Sequence, residues 1–354
     1  MKSHSNLFNK ICAFENLYLA SKKAEKGKRF RNEVAVFNAR RFENLLEMQK
    51  LLRAGQYPFG HFRTIKIVQP KPRLISAAPY PDRVVHHTLI NVIGPLLERQ
   101  FIRDSYANQV DKGTHAALGR CTYYARRFRY VWQLDIRKYF PSIDHQILLA
   151  EISRTIRCPS TLALIAQIID TSNPQEAANF YFPGDDLFTP FERRKGLPIG
   201  NLTSQFFANV YLNAFDHFIK EELRLPGYIR YVDDALGFSD DVEQLRESRG
   251  RSQNFLDDWR LQLHPKKNLI YPVELGIPFL GFRVFPTHRR LLRSGVKRSR
   301  QKLRALRRLY RASRISREKV NVAVQAWLGH VRHGDTWGLR RALFGQYTFS
   351  PAKS

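Results

Sequence analysis

The chain has 354 residues, with 59 lysines and arginines against 31 acids, a formal charge of +28. Hydrophobic residues make up 43% and aromatic residues 12%, enough for a sizeable core, which excludes global disorder. Cys12, Cys121 and Cys158 have no C-x-x-C spacing, so neither a disulfide framework nor a structural zinc site is signalled. No run of about 18 apolar residues occurs, and the first ten residues lack the apolar core of a signal peptide. A soluble, cytoplasmic protein without membrane contact is therefore expected. So large a positive charge points to a polyanionic partner.

Taken in chain order, the N-terminal part reads as helical. Phe42, Leu45, Leu46, Gln49 and Leu52 trace one mainly apolar helix face, and Gly55 ends that helix. Arg63 to Ser76 reads as two short strands around a Pro-Lys-Pro turn, and helical periodicity resumes from Arg83 to Glu98. Tyr130 to Ile143 is a β-type run ending in Asp135, followed by a turn through Phe140-Pro141. Gly200 opens a helix expected over Asn201 to Lys220, with Phe207, Tyr211 and Phe218 as core. Tyr228 to Ser239 reads as two apolar strands with Asp233 and Asp234 at the bend. Residues 281–354 hold 19 lysines and arginines and only 2 acids. Leu303, Leu306 and Leu309 sit there at helical spacing, ahead of Val320 to His333, a Gly334-Asp335 turn and Trp337 to Phe344. Three basic helices on a narrow apolar stripe are expected, in contact with nucleic acid. The irregular mix of strands and helices predicts an α+β fold. Neither a Walker-type loop nor a dinucleotide fingerprint is present.

The aspartates carry the chemistry. Successive strand residues point to opposite faces, so adjacent carboxylates in an apolar hairpin are costly unless a cation offsets them. Three aspartates from two strand ends suit a pair of magnesium ions roughly 3.5–4 Å apart, the arrangement for in-line phosphoryl transfer. Read alone, Asp233-Asp234 is more simply a polar hairpin turn.

The ordered set of motifs resembles the reverse transcriptases. Leu134-Asp135-Ile136 with Phe140 resembles motif A, and Gly196-Leu197-Pro198-Ile199-Gly200-Asn201-Leu202-Thr203-Ser204-Gln205 resembles motif B. Tyr231-Val232-Asp233-Asp234 is similar to motif C, and His264-Pro265-Lys266-Lys267 sits where motif D falls. Phe279-Leu280-Gly281-Phe282 resembles the motif E primer grip. Lys66 and Arg73 are spaced like the family's pair on the incoming triphosphate. The resemblance covers about residues 15–345. It implies metal ligation by Asp135 and Asp233, then Asp234, with the Ile136 carbonyl as a further ligand. It also implies two Mg2+ ions, with Mn2+ as the alternative. Lys66, Arg73, Phe140, Ile199, Gly200 and Lys267 would bind the nucleotide, Phe140 by clashing with a 2′-hydroxyl; Lys266 and Lys267 are equally placed as proton donors. Gln205, Phe279, Leu280, Gly281 and the cations Lys297, Arg298, Arg300 and Arg304 would contact template and primer.

Motif B narrows the resemblance. Ile199 and Gln205 stand where most reverse transcriptases have Gln and Pro, and Ile-Gly-Asn-Leu-Thr-Ser-Gln is similar to the diversity-generating retroelement enzymes. Arg73 to Pro79, Asp82 to His87 and Ile277 to Arg290 fit the same family. That resemblance implies error-prone, adenine-directed copying of a template-repeat RNA into cDNA for mutagenic retrohoming. It implies a right hand: a helical N-terminal extension over 1–60, fingers over 61–130 with part of 150–195, a palm over 131–286, a thumb over 287–345 and a tail over 346–354. The partners implied are template RNA, a primer or nascent cDNA, deoxynucleoside triphosphates and an accessory variability protein. No RNase H, integrase or endonuclease domain is expected. Group II intron-like or defence-associated reverse transcriptases, which share the aspartates and in the first case Trp327-Leu328-Gly329-His330, are the rival reading. A viral-type RNA polymerase more often carries Gly-Asp-Asp, and a non-catalytic RNA-binding protein would be free to lose an aspartate.

Overall fold

The computed structural model describes residues 4–67, 73–171 and 176–349. The expected Pro-Lys-Pro turn, and residues 350–354 of the tail, lie outside them. Four helices lead, Phe8–Ile11, Phe14–Glu25, Asn32–Ala39 and Arg41–Arg53. The fourth ends as expected. Gly55 takes φ +68°, its N–H donates to Leu52 at 3.0 Å, and the Gln56 N–H donates to Leu51 at 2.9 Å, a Schellman cap. Its buried face, however, is Leu45, Met48 and Leu52. Phe42 and Leu46, expected on that face, are exposed. At about 100° per residue, the stripe through Met48 turns Leu46 out to solvent. Phe42 instead stacks on Phe14 and Tyr18, with ring centroids 6.1 and 5.9 Å apart.

Strands β1 (Arg63–Ile67) and β2 (Arg73–Ala77) pair as an antiparallel ribbon, followed by the helix Tyr80–Glu98. The central sheet contains β3 (Tyr130–Asp135), β4 (Gly227–Tyr231), β5 (Asp234–Ser239) and β6 (Leu269–Pro272). Their order is β4-β5-β3-β6, with every pair antiparallel. Alternation separates two cores. Trp132 and Leu134 point into the larger one, which includes Phe207 and Tyr211. Val131, Leu236 and Phe238 point into a smaller one with Leu118 and Tyr124 of the helix Thr114–Arg127. Phe279 and Phe282 join it from a third sheet, the antiparallel meander β7 (Ile277–Phe279), β8 (Phe282–Val284) and β9 (Arg289–Leu291). Asp135 has the parity of Val131, so it emerges on this second face.

The single helix expected over Asn201–Lys220 is divided. It runs Leu202–Tyr211 and Asn213–His217, then widens into a π turn over Phe218–Glu222, where the Leu223 N–H donates to Phe218 five residues back. Phe207, Tyr211 and Phe218 are buried as expected. The C-terminal helices Arg293–Arg311, Arg317–Val331 and Trp337–Gln346 close on Leu303, Leu343 and Tyr347. Leu306 and Leu309 are half-buried. The Gly334 turn is required by space, because a Cβ there would meet Phe282 at 2.9 Å and the Arg289 carbonyl at 3.0 Å. The fold is mixed α+β with antiparallel sheets. Among the described residues, no helix is long and apolar enough to cross a membrane.

Candidate active site

Strand register brings the three aspartates together. Asp135, the last residue of β3, lies directly opposite Asp234, the first of β5. Asp233 precedes it in the β4–β5 turn, and Val232 there takes φ +60°, a left-handed conformation that a β-branched side chain rarely adopts. Like charges directly opposite on neighbouring strands repel. Burial, followed by the charges of Asp233 and Asp135, pushes the Asp234 carboxyl up to about 8. Burial and Asp135 also raise Asp233, against the opposing pull of Arg73 and Lys267.

Two positive groups face this cluster. Lys267 Nζ lies 2.5 Å from Asp135 Oδ2. Lys266, indistinguishable from it by sequence, has its backbone N–H on His264 Nδ1 at 3.2 Å. The loop is tied to the end of β3, since the His264 N–H donates to the Asp135 carbonyl at 2.7 Å and the Arg137 N–H to Gln262 at 2.8 Å. That pairing leaves the Ile136 carbonyl outside the bridge. Arg73 acts on Asp233, but Lys66 does not share its face. Lys66 pairs with Leu74 and Arg73 with Ile67, so alternation sends the two cations to opposite sides of the ribbon.

The ribbon docks on the start of the Leu202–Tyr211 helix. The Ser76 N–H donates to the Ile199 carbonyl at 3.1 Å. Asn201 Nδ2 donates to the Ser76 carbonyl at 2.9 Å, and the Ala78 N–H donates to Asn201 Oδ1 at 3.2 Å. An asparagine before a helix reads as an N-cap; here its side chain is spent on β2, a role the local pattern does not reveal. Gly200 takes φ +115°, and a Cβ there would meet Ile75 at 2.5 Å, so close approach of β2 requires glycine. The Phe140 carbonyl accepts from the Leu197 N–H at 2.9 Å, joining the end of β3 to the same segment. Phe140 is half-buried, edge-on to Tyr139 at 5.7 Å. Ile199 and Gln205 are half-buried as well.

The remaining expected contacts lie on the third sheet and on the C-terminal helices. Phe279 is buried, whereas Leu280 and Gly281 form the β7–β8 turn with φ +47° and +90°. Lys297, Arg298, Arg300 and Arg304 are exposed on the Arg293–Arg311 helix, and Arg304 Nε donates to the Tyr347 hydroxyl at 2.8 Å.

A buried network behind the turn carries no local sequence signal beyond charge in an apolar strand. Arg230 donates from Nε and Nη2 to Asp216 at 2.7 and 2.6 Å, and from Nη1 to the Val232 carbonyl and to Asn209 Oδ1 at 3.0 Å each. The Tyr228 hydroxyl donates to the same Asp216 at 2.9 Å.

Carboxylates crowded together in this way are the hard-oxygen donors a divalent cation suits. Asp135, Asp233 and Asp234 therefore fit such an ion by chemistry. Among the described residues, no three His, Cys, Asp or Glu side chains converge tightly enough to hold one; Asp135 Oδ2 meets Lys267 instead.

The reverse transcriptase (RNA-dependent DNA polymerase) family model matches residues 66–284, from β1 through β8. A putative COX1/OXI3 intron 1 protein of Saccharomyces cerevisiae is 19% identical over 331 residues, covering 74% of this chain and 38% of that protein. Protein YkfC of Escherichia coli is 24% identical over 274 residues, covering 64% of this chain and 68% of that protein. The chain thus spans well under half the length of the yeast relative. With well over half of its length matched, from the first strand through the aspartate motifs to β8, the chain belongs to the reverse transcriptase family and carries an RNA-directed DNA polymerase domain.

Proposed function

We propose that this protein copies RNA into cDNA, with Asp135, Asp233 and Asp234 as the carboxylates of a two-metal nucleotidyl-transfer site. The observation that carries the reading is the opposed pair Asp135 and Asp234 with Asp233 in the adjoining turn. Magnesium, with manganese as the alternative, supplies Lewis-acid stabilisation of the attacking and leaving oxygens when bound. The Ile136 carbonyl is a further oxygen donor at that site. Lys267 Nζ carries a proton beside Asp135 that suits the leaving pyrophosphate. Arg73 grips the triphosphate as a fork, with Lys66 a second charge on the ribbon. The domain reading is a right hand, with fingers over 61–130 and part of 150–195, palm over 131–286 and basic thumb over 287–345, preceded by an extension over 1–60. Asp233→Asn is expected to abolish primer extension while fold and RNA binding persist; near-normal extension overturns the assignment.

Within the family we place the chain in the diversity-generating class, on the Ile199 to Gln205 string. The Phe140 carbonyl accepts from the Leu197 N–H, two residues before Ile199. Ile199 has no hydrogen-bonding group with which to reward a correct base pair, and one such bond is worth about 1 kcal/mol, roughly fivefold in discrimination. The class brings a template-repeat RNA and an accessory variability protein as partners. An intron-type enzyme is the second reading, favoured by the yeast intron protein among the relatives. One assay separates them: cDNA made on a single template by the wild type, Ile199→Gln and Phe140→Ala. Fewer errors opposite adenine with Ile199→Gln and ribonucleotide entry with Phe140→Ala are expected. An error spectrum unchanged by Ile199→Gln removes that residue from fidelity, and unchanged sugar choice returns Phe140 to a packing role.

A further inference from the structure

One cavity among the described residues lies away from the aspartates. It is an open cleft of about 540 Å3 on the outer face of the Thr114–Arg127 helix, lined by Gly119, Thr122, Tyr123, Arg126, Arg127 and, from β9, Arg289. Its volume falls in the range of about 300–1,000 Å3 typical of ligand sites. It shares no residue with the site above, and no acidic side chain lines it.

Its three guanidiniums are held in place by neutral oxygens. Arg289 Nε donates to Thr122 Oγ1 at 2.6 Å and its Nη1 to the His333 carbonyl at 3.2 Å. Arg126 Nε donates to the Pro286 carbonyl at 2.8 Å, and Arg127 Nη1 to the Tyr123 hydroxyl at 3.3 Å. Among the described residues none of the three has a carboxylate partner, although each guanidinium has five N–H donors. Burial, with Arg126 next among the opposing charges, holds the Arg289 guanidinium below its usual range. An anion would relieve both the crowding of charge and the unused donors.

The cleft also offers a ring. Tyr123 is 46% exposed. The Arg120 guanidinium lies 4.8 Å from its centroid and is itself fixed by two bonds to Asp104 at 2.9 and 3.1 Å, so one side of the ring is backed by a rigid cation. Gly119, one turn away, has open space where a Cβ would stand. Phosphate donors around an exposed, backed aromatic ring match an unstacked base and its flanking phosphates; a duplex hides its bases, and an acidic peptide needs no ring.

We propose that this cleft is a second nucleic-acid site, separate from the aspartates, that holds a single-stranded RNA segment with phosphates on Arg126, Arg127 and Arg289 and a base on Tyr123. It rests on the reading above only for the choice of RNA as the ligand. The test uses the full chain, a fluorescein-labelled ten-nucleotide oligouridylate, and saturating unlabelled RNA–DNA primer–template hybrid to fill the polymerase cleft. Anisotropy should show Tyr123→Ala binding the probe about 5- to 150-fold more weakly, the span of a lost stacking ring. Arg126→Gln with Arg127→Gln should lower the log–log salt slope by roughly 1.4, about 0.7 per lost contact, while the paired Lys substitutions preserve it. Each variant should still extend the preformed hybrid. Probe affinity and salt slope unchanged in both variants overturn the proposal. So does displacement by polyglutamate as effective as by unlabelled oligouridylate with Tyr123→Ala unaltered, which assigns the cleft to an acidic protein segment. Repeating the titration in Asp233→Asn keeps the two readings apart, because probe binding there needs no polymerisation.

Discussion

Replacing Arg230 by Met tests how the turn that presents Asp233 is held. Arg230 is 1% exposed and Asp216 0%. Methionine fills similar apolar space, yet it leaves the Asp216 carboxylate buried with the Tyr228 hydroxyl as its remaining side-chain donor. Removing one partner of a buried ion pair costs about 3–5 kcal/mol. The same substitution takes away the donor on the Val232 carbonyl, at the residue whose left-handed backbone stores about 1–3 kcal/mol of strain. A hydrogen bond from a charged group is worth about 1.5–3 kcal/mol, so relaxation of the turn lowers kcat by up to roughly 10- to 150-fold. Denaturant titration gives the stability, and steady-state primer extension gives kcat and the KM for deoxynucleotide. Arg230→Met with Asp216→Leu separates the two effects. An apolar pair in place of a buried ion pair is often neutral or stabilising, so stability should largely return. The Val232 carbonyl stays without its donor, so kcat should stay low while KM holds. A single variant within about 1 kcal/mol of wild type, or a double variant that extends primers at the wild-type kcat, would show that Arg230 does not hold the turn.

Neutralising Lys297, Arg298, Arg300 and Arg304 to Gln should weaken primer–template binding on every sequence and lower the log–log salt slope by about 0.7–0.9 per lost contact. Arg304, already bonded to Tyr347, should contribute least, and an unchanged slope would mean a merely solvated face. Stability should also fall with acidification between about pH 6.5 and 4. Burial, then the charges of His87 and Arg83, lowers His86 to about 3; burial, then Lys23 and Lys28, lowers His87 to about 4. The folded chain therefore keeps both rings neutral where the unfolded chain protonates, so unfolding takes up protons below about 6.5 and each histidine removes up to about 1.4 kcal/mol per pH unit. His86→Gln should roughly halve that slope in denaturant titrations at pH 7 and pH 5, and an identical slope would refute the linkage.

What the chain determines by itself is local and periodic. Asp135, Asp233 and Asp234 are legible because each ends or joins an apolar run with a two-residue period, and such a run has few places for a charge. Gly55 and Gly334 are legible as ends and turns, and the leucines of Arg293–Arg311 as a stripe on a cationic helix, since backbone sterics and apolar spacing act within a few residues. What meets what is decided by the fold. Only closure of the sheet sets Asp135 opposite Asp234 and brings Lys267, rather than Lys266, onto Asp135 across 132 residues of chain. Only pairing register sends Lys66 and Arg73 to opposite faces, because a shift of one residue would exchange every side chain between them. Packing, not the helical period alone, chooses Met48 over Phe42 and Leu46 for the core. Asp216 looks in sequence like an ordinary surface charge, and Arg230 only like a charge in an apolar strand. Their desolvation and their mutual bonds exist only once the Asn213–His217 helix lies against β4, so the energy that makes them a support for the turn is a property of the tertiary structure.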